Sequence, residues 1–336
     1  MKTNRQHPHL RIINSDQSGT NISSQFVESN DNRVRLFKPA VEISEPQPSK
    51  TSNRLSIYLS IMKPITWVPV VWAFWCGAVS SGNLHWEILD LSKLLVGLLL
   101  SGPLLCGMSQ AINDYFDREV DAVNEPNRAI PGHRITLIET YRVIATLGFL
   151  GLVAGYFLGT GAFILSLIGI AMAHAYSAPP LRLKRFTWLG PLTSATSYIA
   201  FPWLAAASAF GTVEWKTLIL PCIYSIGSIG IMISNDFKSI QGDFALKLPS
   251  VPVVYGIKNA ARIICIFIDG AQIGVILLLL LEGRWIAASI LICLVLPQFY
   301  LQKRFIKKPL SNAIWYNARG QSLLVLGMFI SAWLVY

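Results

Sequence analysis

Residues Ser109–Arg134 read SQAINDYFDREVDAVNEPNRAIPGHR, and the reading of the chain turns on how this stretch changes character. It starts as the end of an apolar run and becomes abruptly acidic, with Asn113, Asp114, Asp117 and Asp121 in close succession. At roughly 100° per residue on a helix, the three carboxylates fall within about 60° of one another. Three like charges on one face, at the mouth of a membrane helix, repel unless something cationic lies between them. Hard divalent cations such as Mg²⁺ take oxygen ligands and bind through a few carboxylates plus substrate phosphates. Arg128 and Arg134 follow, and a guanidinium fork suits phosphate oxygens. The alternative is a solvated, charged helix end. The cost of placing carboxylates in a membrane favours the functional reading.

Composition sets the class. Of 336 residues 53% are apolar and 14% charged, with mean hydropathy +0.48. A soluble chain carries nearer ~25% charged residues, so this is expected to be an integral membrane protein. A net charge of +10 could point to nucleic acid. The basic residues are instead spread over loops between apolar runs, with no basic stripe interleaved with aromatics. They read as topology signals and anion ligands, and no nucleic-acid partner is expected. The five cysteines lie in apolar runs without a CxxC pair, which excludes a disulfide framework and a cysteine zinc site.

Residues 1–56 are polar, with eight Lys/Arg and five Asp/Glu. They lack an apolar core, so they do not read as a secretory signal peptide; a disordered cytoplasmic tail is expected. Residues 57–336 form the membrane domain. Its apolar stretches are long enough for a bilayer core, which needs ~20 residues. Nine are read: 57–80, 93–114, 141–159, 161–177, 191–210, 216–234, 260–281, 285–302 and 319–336. Of the 28 Lys/Arg, all but Lys93, Lys216 and Arg284 fall on the tail or on the loops of one side. The positive-inside rule then places the N-terminus and the acidic stretch in the cytoplasm.

The sixth apolar segment ends GIMISNDFKSIQGDFALKLPSVP. Asn235 and Asp236 repeat the Asn-Asp that closes the second segment, and Asp243, Lys238 and Lys247 follow. This is a weak repeat with a four-helix period, suggesting two halves that face each other. Two opposed acidic clusters holding metal would grip a diphosphate and neutralise charge on the leaving oxygens. Between them runs AHAYSAPPLRLKRFTWLG, where Pro179-Pro180 ends the helix. Arg182 and Lys184 are read as diphosphate ligands, with positive-inside anchoring as the alternative and as the reading for Arg185. No Ser-His-Asp set and no partnered nucleophilic Cys is visible. Metal-held carboxylates, basic residues and an aromatic-rich interior suit ionising an allylic diphosphate in a cavity sheltered from water. A second substrate then captures the cation, which makes prenyl transfer inside a membrane the implied class. Tyr176 either contacts the allylic chain or closes its loop, an interfacial tyrosine being the alternative.

These residues resemble the UbiA superfamily of intramembrane prenyltransferases, and within it the chlorophyll and bacteriochlorophyll synthase branch. The likeness is carried by MKPITWVPVVWAFWCGAVSSGNLHW (62–86), NDYFDREVDAVNEPNRAIPGHRI (113–135), YSAPPLRLK (176–184) and NDFKSIQGDFALKLPSVPVVYG (235–256). The first aspartate motif is shared across the superfamily; KPITW, SGNLHW and NDFKS narrow it. The resemblance implies an all-α bundle around a central cavity. It implies esterification of the propionate of a (bacterio)chlorophyllide with geranylgeranyl or phytyl diphosphate. It also implies that Asp114, Asp117 and Asp121 bind one Mg²⁺ and that Asp236 and Asp243 bind another. Asn113, Arg128, Tyr176, Arg182, Lys184, Asn235 and Lys238 would hold substrate. Three positions depart from the family pattern. Gln241 stands where Glu is expected, and Asn127 and Ala129 where Tyr and Pro are frequent, which would relax the loop around Arg128.

Away from the motifs, Asp269 sits mid-segment, where an acid faces a cavity or hydrogen-bonds another helix. His174 reads as a hydrogen-bonded helix-end histidine, with the chlorin magnesium as the alternative. Trp67, Trp72 and Trp75 are candidates to line a chlorin site. Competing functions are prenylation of another acceptor such as a quinone precursor, a non-catalytic pigment-binding protein, and a transporter. Both intact aspartate motifs argue against pigment binding alone, and acids gathered at one face argue against transport. The expected setting is the photosynthetic cytoplasmic membrane of a bacterium, with a thylakoid as the alternative. The lipid bilayer and other pigment-biosynthesis enzymes are the expected partners.

Overall fold

The computed structural model describes residues 25–28, 34–37, 53–245 and 247–335. Within the stretch read as a disordered tail, β1 (Gln25–Glu28) and β2 (Val34–Phe37) pair antiparallel, Gln25 opposite Phe37. The rest of that tail lies outside the described residues.

All else is helical. The helices are α1 (Arg54–Met62), α2 (Trp67–Val79), α3 (Ile88–Leu99), α4 (Gly107–Asn124), α5 (Leu137–Leu158), α6 (Thr160–Ser177) and α7 (Leu189–Ala195). Then come α8 (Phe201–Phe210), α9 (Trp215–Asp236), α10 (Ile240–Ala245), α11 (Val251–Tyr255), α12 (Ile257–Leu281), α13 (Trp285–Lys307) and α14 (Pro309–Leu334). Among the described residues all but the short α10 and α11 make nine rods, matching the nine apolar segments to within about five residues except at the end of α4, which runs ten residues past segment 93–114, and at the start of α14. Three rods are composite: α1 with α2, α3 with α4, and α7 with α8. Seven of the nine are long and apolar enough to cross a membrane. The α7–α8 rod and α14 are not among them. The first carries Pro191, Thr193, Ser194, Thr196, Ser197 and Pro202, and the first half of α14 carries Asn312, Asn317, Arg319 and Gln321.

Local chemistry explains the breaks. Lys63 precedes a proline, which disfavours the α conformation, and it takes left-handed angles (φ 47, ψ 71) between α1 and a 3₁₀ turn at Pro64–Thr66. The link from α3 to α4 is a π-helical turn, Leu100–Cys106, around Pro103, which has no N–H to donate. A second π-helical turn, Thr196–Ala200, joins α7 to α8 just before Pro202. Thr136 and Glu139 cap α5 reciprocally. Gly159, at φ 117, turns the chain from α5 into α6 where a side chain would be strained.

The bundle buries its apolar faces in three clusters. The largest joins α9, α12, α13 and α14 to α2 and α8 through Trp203, Tyr224, Ile264 and Tyr316. A second lies directly beneath the first acidic motif, with Ile57, Ile61, Met108, Ile112, Ile130 and Ile144. The third sits between α2, α3, α6 and α8 around Phe74, Leu100 and Phe210. Where α2 crosses α8, Gly77 meets the Trp203 backbone, and Trp203 Nε1 donates to Ser80 Oγ at 2.9 Å.

Candidate active site

The acidic motifs lie toward the ends of α4 and α9, and each puts its asparagine, though none of its aspartates, in the wall of one cavity of about 880 Å³. Asn113 and Asn235 stand in its wall with Tyr176 and Lys238. The loop after α6 meets the loop after α9, Thr187 Oγ1 donating to the Pro249 carbonyl at 2.6 Å.

The first motif is saturated with the chain's own cations. Asp114 is 4% and Asp121 7% exposed, and burying such charges is costly unless they are paired. One nitrogen, Arg128 Nη1, holds both: 2.8 Å to Asp121 Oδ2 and 3.3 Å to Asp114 Oδ1. Its other nitrogens form a fork on Glu125 at 2.7 and 2.8 Å. Those bonds hold the Glu125 carboxyl below the ordinary glutamate range. Asp117 turns elsewhere, to Arg182 Nη2 at 3.0 Å and Lys184 Nζ at 2.5 Å. Lys184 also donates to Asn113 Oδ1 at 3.1 Å. Burial pulls its ammonium below the ordinary lysine range, against the pull of Asp117. Arg182 reaches this position from left-handed backbone angles (φ 42, ψ 54), a conformation that persists where surrounding contacts enforce it.

Lys63 is the residue sequence reasoning missed. Its Nζ lies 2.6 Å from Asp114 Oδ1. The available signal was the KPITW segment itself. Pro64 breaks the rod, Thr66 Oγ1 bonds the Lys63 carbonyl at 2.8 Å, and Trp67 Nε1 bonds the Met62 carbonyl at 2.9 Å. The break turns Lys63 toward α4.

The second motif carries no such cations. Among the described residues Asp236 and Asp243 pair with no Lys or Arg, and Asp243 accepts from Ser239 Oγ at 3.1 Å. Burial raises the Asp243 carboxyl above the ordinary aspartate range. Asn235 Oδ1 accepts from Asn317 Nδ2 of α14 at 3.0 Å.

Several expectations take a different form. Arg134 braces the loop, donating to the Asn127 carbonyl at 2.8 Å, rather than facing the acids. The loop around Arg128 is not slack for want of a proline: Ala129 and Ile130 are buried beneath it, and the Ala129 carbonyl accepts from the Arg134 N–H at 2.9 Å. Gln241 is exposed on α10. Trp67, Trp72 and Trp75 do not border the cavity; Trp72 Nε1 instead ties α2 to the Val325 carbonyl of α14 at 3.2 Å. His174 Nδ1 engages the Ile170 carbonyl of its own helix at 2.9 Å. Asp269 accepts from Gln298 and Gln302 at 2.6 and 2.7 Å, a structural bond between α12 and α13.

Among the described residues no three His, Cys, Asp or Glu side chains converge closely enough to hold an ion as they stand. The three carboxylates of the first motif are divided between two sets of cations. The donor set nonetheless fits a hard divalent cation: all ligands are carboxylate oxygens. A guanidinium nitrogen already sits between Asp114 and Asp121, so that place is built for positive charge.

Residues 66–333 match the UbiA prenyltransferase family. The chain belongs to that family. The match spans both aspartate motifs and reaches from just before α2 to the end of α14, with Lys63 lying just ahead of it. Chlorophyll synthase of Arabidopsis thaliana is 42% identical over 84% of this chain and 76% of its own length. The bacteriochlorophyll synthase 34 kDa chain of Chloroflexus aurantiacus is 39% identical over 89% of this chain and 96% of its own. A UbiA homolog from Archaeoglobus fulgidus, solved bound to GPP and Mg²⁺, shares the fold. It aligns with a TM-score of 0.62 at 16% identity, over 80% of this chain and 99% of that one.

Proposed function

We propose that this UbiA-family prenyltransferase is a (bacterio)chlorophyll synthase. It esterifies the propionate of a (bacterio)chlorophyllide with geranylgeranyl or phytyl diphosphate. The C1–O bond to the diphosphate breaks, the diphosphate leaves with the electron pair, and a propionate oxygen forms the new bond to C1. The carboxylate attacks as an anion, so no general base is required. The observation that carries this reading is that the asparagines of both Asn-Asp pairs, Asn113 and Asn235, stand in the wall of one cavity whose lining surface is largely apolar. The identity to synthases from a plant and a photosynthetic bacterium supports the choice of acceptor.

Asp114, Asp117 and Asp121 would hold one Mg²⁺, and Asp236 with Asp243 another. Bound there, the metal supplies charge neutralisation for the leaving oxygens. The chain's own share is separate. Lys63, Arg128, Arg182 and Lys184 stand ready around the first motif to take phosphate oxygens. Asn113 and Asn235 orient polar groups at the cavity rim, and the apolar wall keeps water from the allylic cation. The basic loops support a cytoplasmic position for this end of the bundle, and the likeness to chlorophyll and bacteriochlorophyll synthases supports a photosynthetic membrane.

The test is esterification in membranes containing this protein. Chlorophyllide a or bacteriochlorophyllide a is supplied with geranylgeranyl or phytyl diphosphate and Mg²⁺, and esterified pigment is followed by chromatography. Product that disappears with EDTA, with Asp114→Asn and with Asp236→Asn is the expected result. No product from any pair, in folded protein that binds chlorin, would overturn it.

A further inference from the structure

Of the residues bordering the main cavity, Lys238 alone is charged. The four basic side chains around the first motif are already committed: Lys63, Arg128, Arg182 and Lys184 all hold its acids. Lys238 is exposed to the cavity and has no carboxylate within ion-pair distance among the described residues. Its backbone N–H bonds the Asn235 carbonyl at 3.1 Å, which fixes it in the turn directly after α9. The polar groups beside it in the wall are the neutral amides of Asn235 and Asn317. A single ammonium with no carboxylate partner, beside apolar wall residues such as Ile231 and Met232, is a place for an anion.

We infer that Lys238 anchors the carboxylate of the acceptor, and so sets which anion attacks. The inference rests on the synthase reading above and deepens it. Two anions must enter the site, the diphosphate that leaves C1 and the propionate that captures it. The multiply charged diphosphate would draw on metal at the two motifs and on the four cations of the first, once metal takes up the carboxylates those cations now hold. An ammonium is a compact point charge, suited to one carboxylate, and Lys238 belongs to the α9 side. Lys238 is thus a positioning residue for the nucleophile: it holds the propionate in its reactive ionised form and takes no proton from it.

The test separates the two anions. Purified protein is titrated with chlorophyllide a and with the same chlorin whose propionate is a methyl ester, read by pigment fluorescence without prenyl diphosphate. The wild-type protein is expected to bind the free acid on the order of tenfold more tightly than the ester. Lys238→Gln is expected to bind both alike, and Lys238→Arg to restore the preference. In turnover, Lys238→Gln raises KM for the chlorin and leaves KM for the prenyl diphosphate unchanged. Equal binding of acid and ester by the wild-type protein would overturn the inference, as would a KM increase confined to the prenyl diphosphate. Neither result touches the synthase reading, which fails separately if the wild-type protein makes no esterified pigment. The fluorescence titration judges Lys238 in that case too.

Discussion

Lys63 and Asp114 are 51 residues apart in the chain, and their side chains meet at 2.6 Å. The contact exists because the first rod breaks at Lys63, and it joins α1 to the helix that carries the first acidic motif. Replacing Lys63 with Met removes the shorter of the two cation contacts to Asp114. We expect kcat/KM for the prenyl diphosphate to fall by about 10- to 100-fold, or about 1.4–2.7 kcal/mol of transition-state stabilisation. Steady-state kinetics with each substrate varied in turn checks this. An unchanged kcat/KM would show that Arg128 alone suffices.

Arg182 and Lys184 share one carboxylate, Asp117, and two residues on one partner do not act independently. Arg182→Met and Lys184→Met are each expected to lower activity, and the double variant to lose less than the product of the two losses. The coupling should lie at about 0.5–3 kcal/mol. A double-mutant cycle on kcat/KM measures it, and strict additivity would contradict the shared contact.

Gly77 lies where α2 crosses the Trp203 backbone of α8, and a methyl group there would collide with main chain that cannot turn aside. Gly77→Ala should lower stability by about 1–3 kcal/mol through forced separation of the two helices. The apparent melting temperature in detergent reads this out. A variant as stable as the parent would mean that the crossing is loose.

Glu125 is hydrogen-bonded by Arg128, which lowers its carboxyl pKa in the folded protein. A lowered folded-state value gives stability that is present above the unfolded-state value and lost as pH falls through the folded one. The melting temperature should therefore drop as pH falls from about 6 to about 3.5, and less steeply in Glu125→Gln. The difference should be small, because the Glu125 side chain is 57% exposed and solvent screens the pair.

Much of the architecture was legible because apolar runs of bilayer length leave a strong imprint, and each run became a rod. The π-helical turns at Leu100–Cys106 and Thr196–Ala200 were not. A proline marks each, but a π turn depends on how neighbouring helices accommodate the missing N–H. The polar character of α14 also blurred its start. The residues from Pro309 to Ala318 read as loop; they are helical, and Asn317 and Gln321 find partners on α9 at Asn235 and Ser234.

In the site, Asn113, Asp114 and Asn235 were legible from spacing alone. What each acid touches was not. Helical periodicity puts Asp114, Asp117 and Asp121 on one face. It says nothing of the loops that return to that face and divide it, with Arg128 on one flank and Arg182 and Lys184 on the other. Lys63 was hidden for the same reason, since its role depends on a break in another rod. The tryptophans of α2 misled because an aromatic run suits a pigment pocket and a helix seam equally well, and here Trp72 serves the seam.

The amide-bearing first half of α14 bears on how the protein is made. Asn317 Nδ2 and Gln321 Nε2 donate to groups on α9, and α14 is not among the helices long and apolar enough by composition to cross a membrane. A segment with unpaired amides is poorly retained in hydrocarbon. Its place in the bilayer therefore draws on α9, so the wall of the cavity that carries Asn317 and Gln321 depends on those two helices packing together.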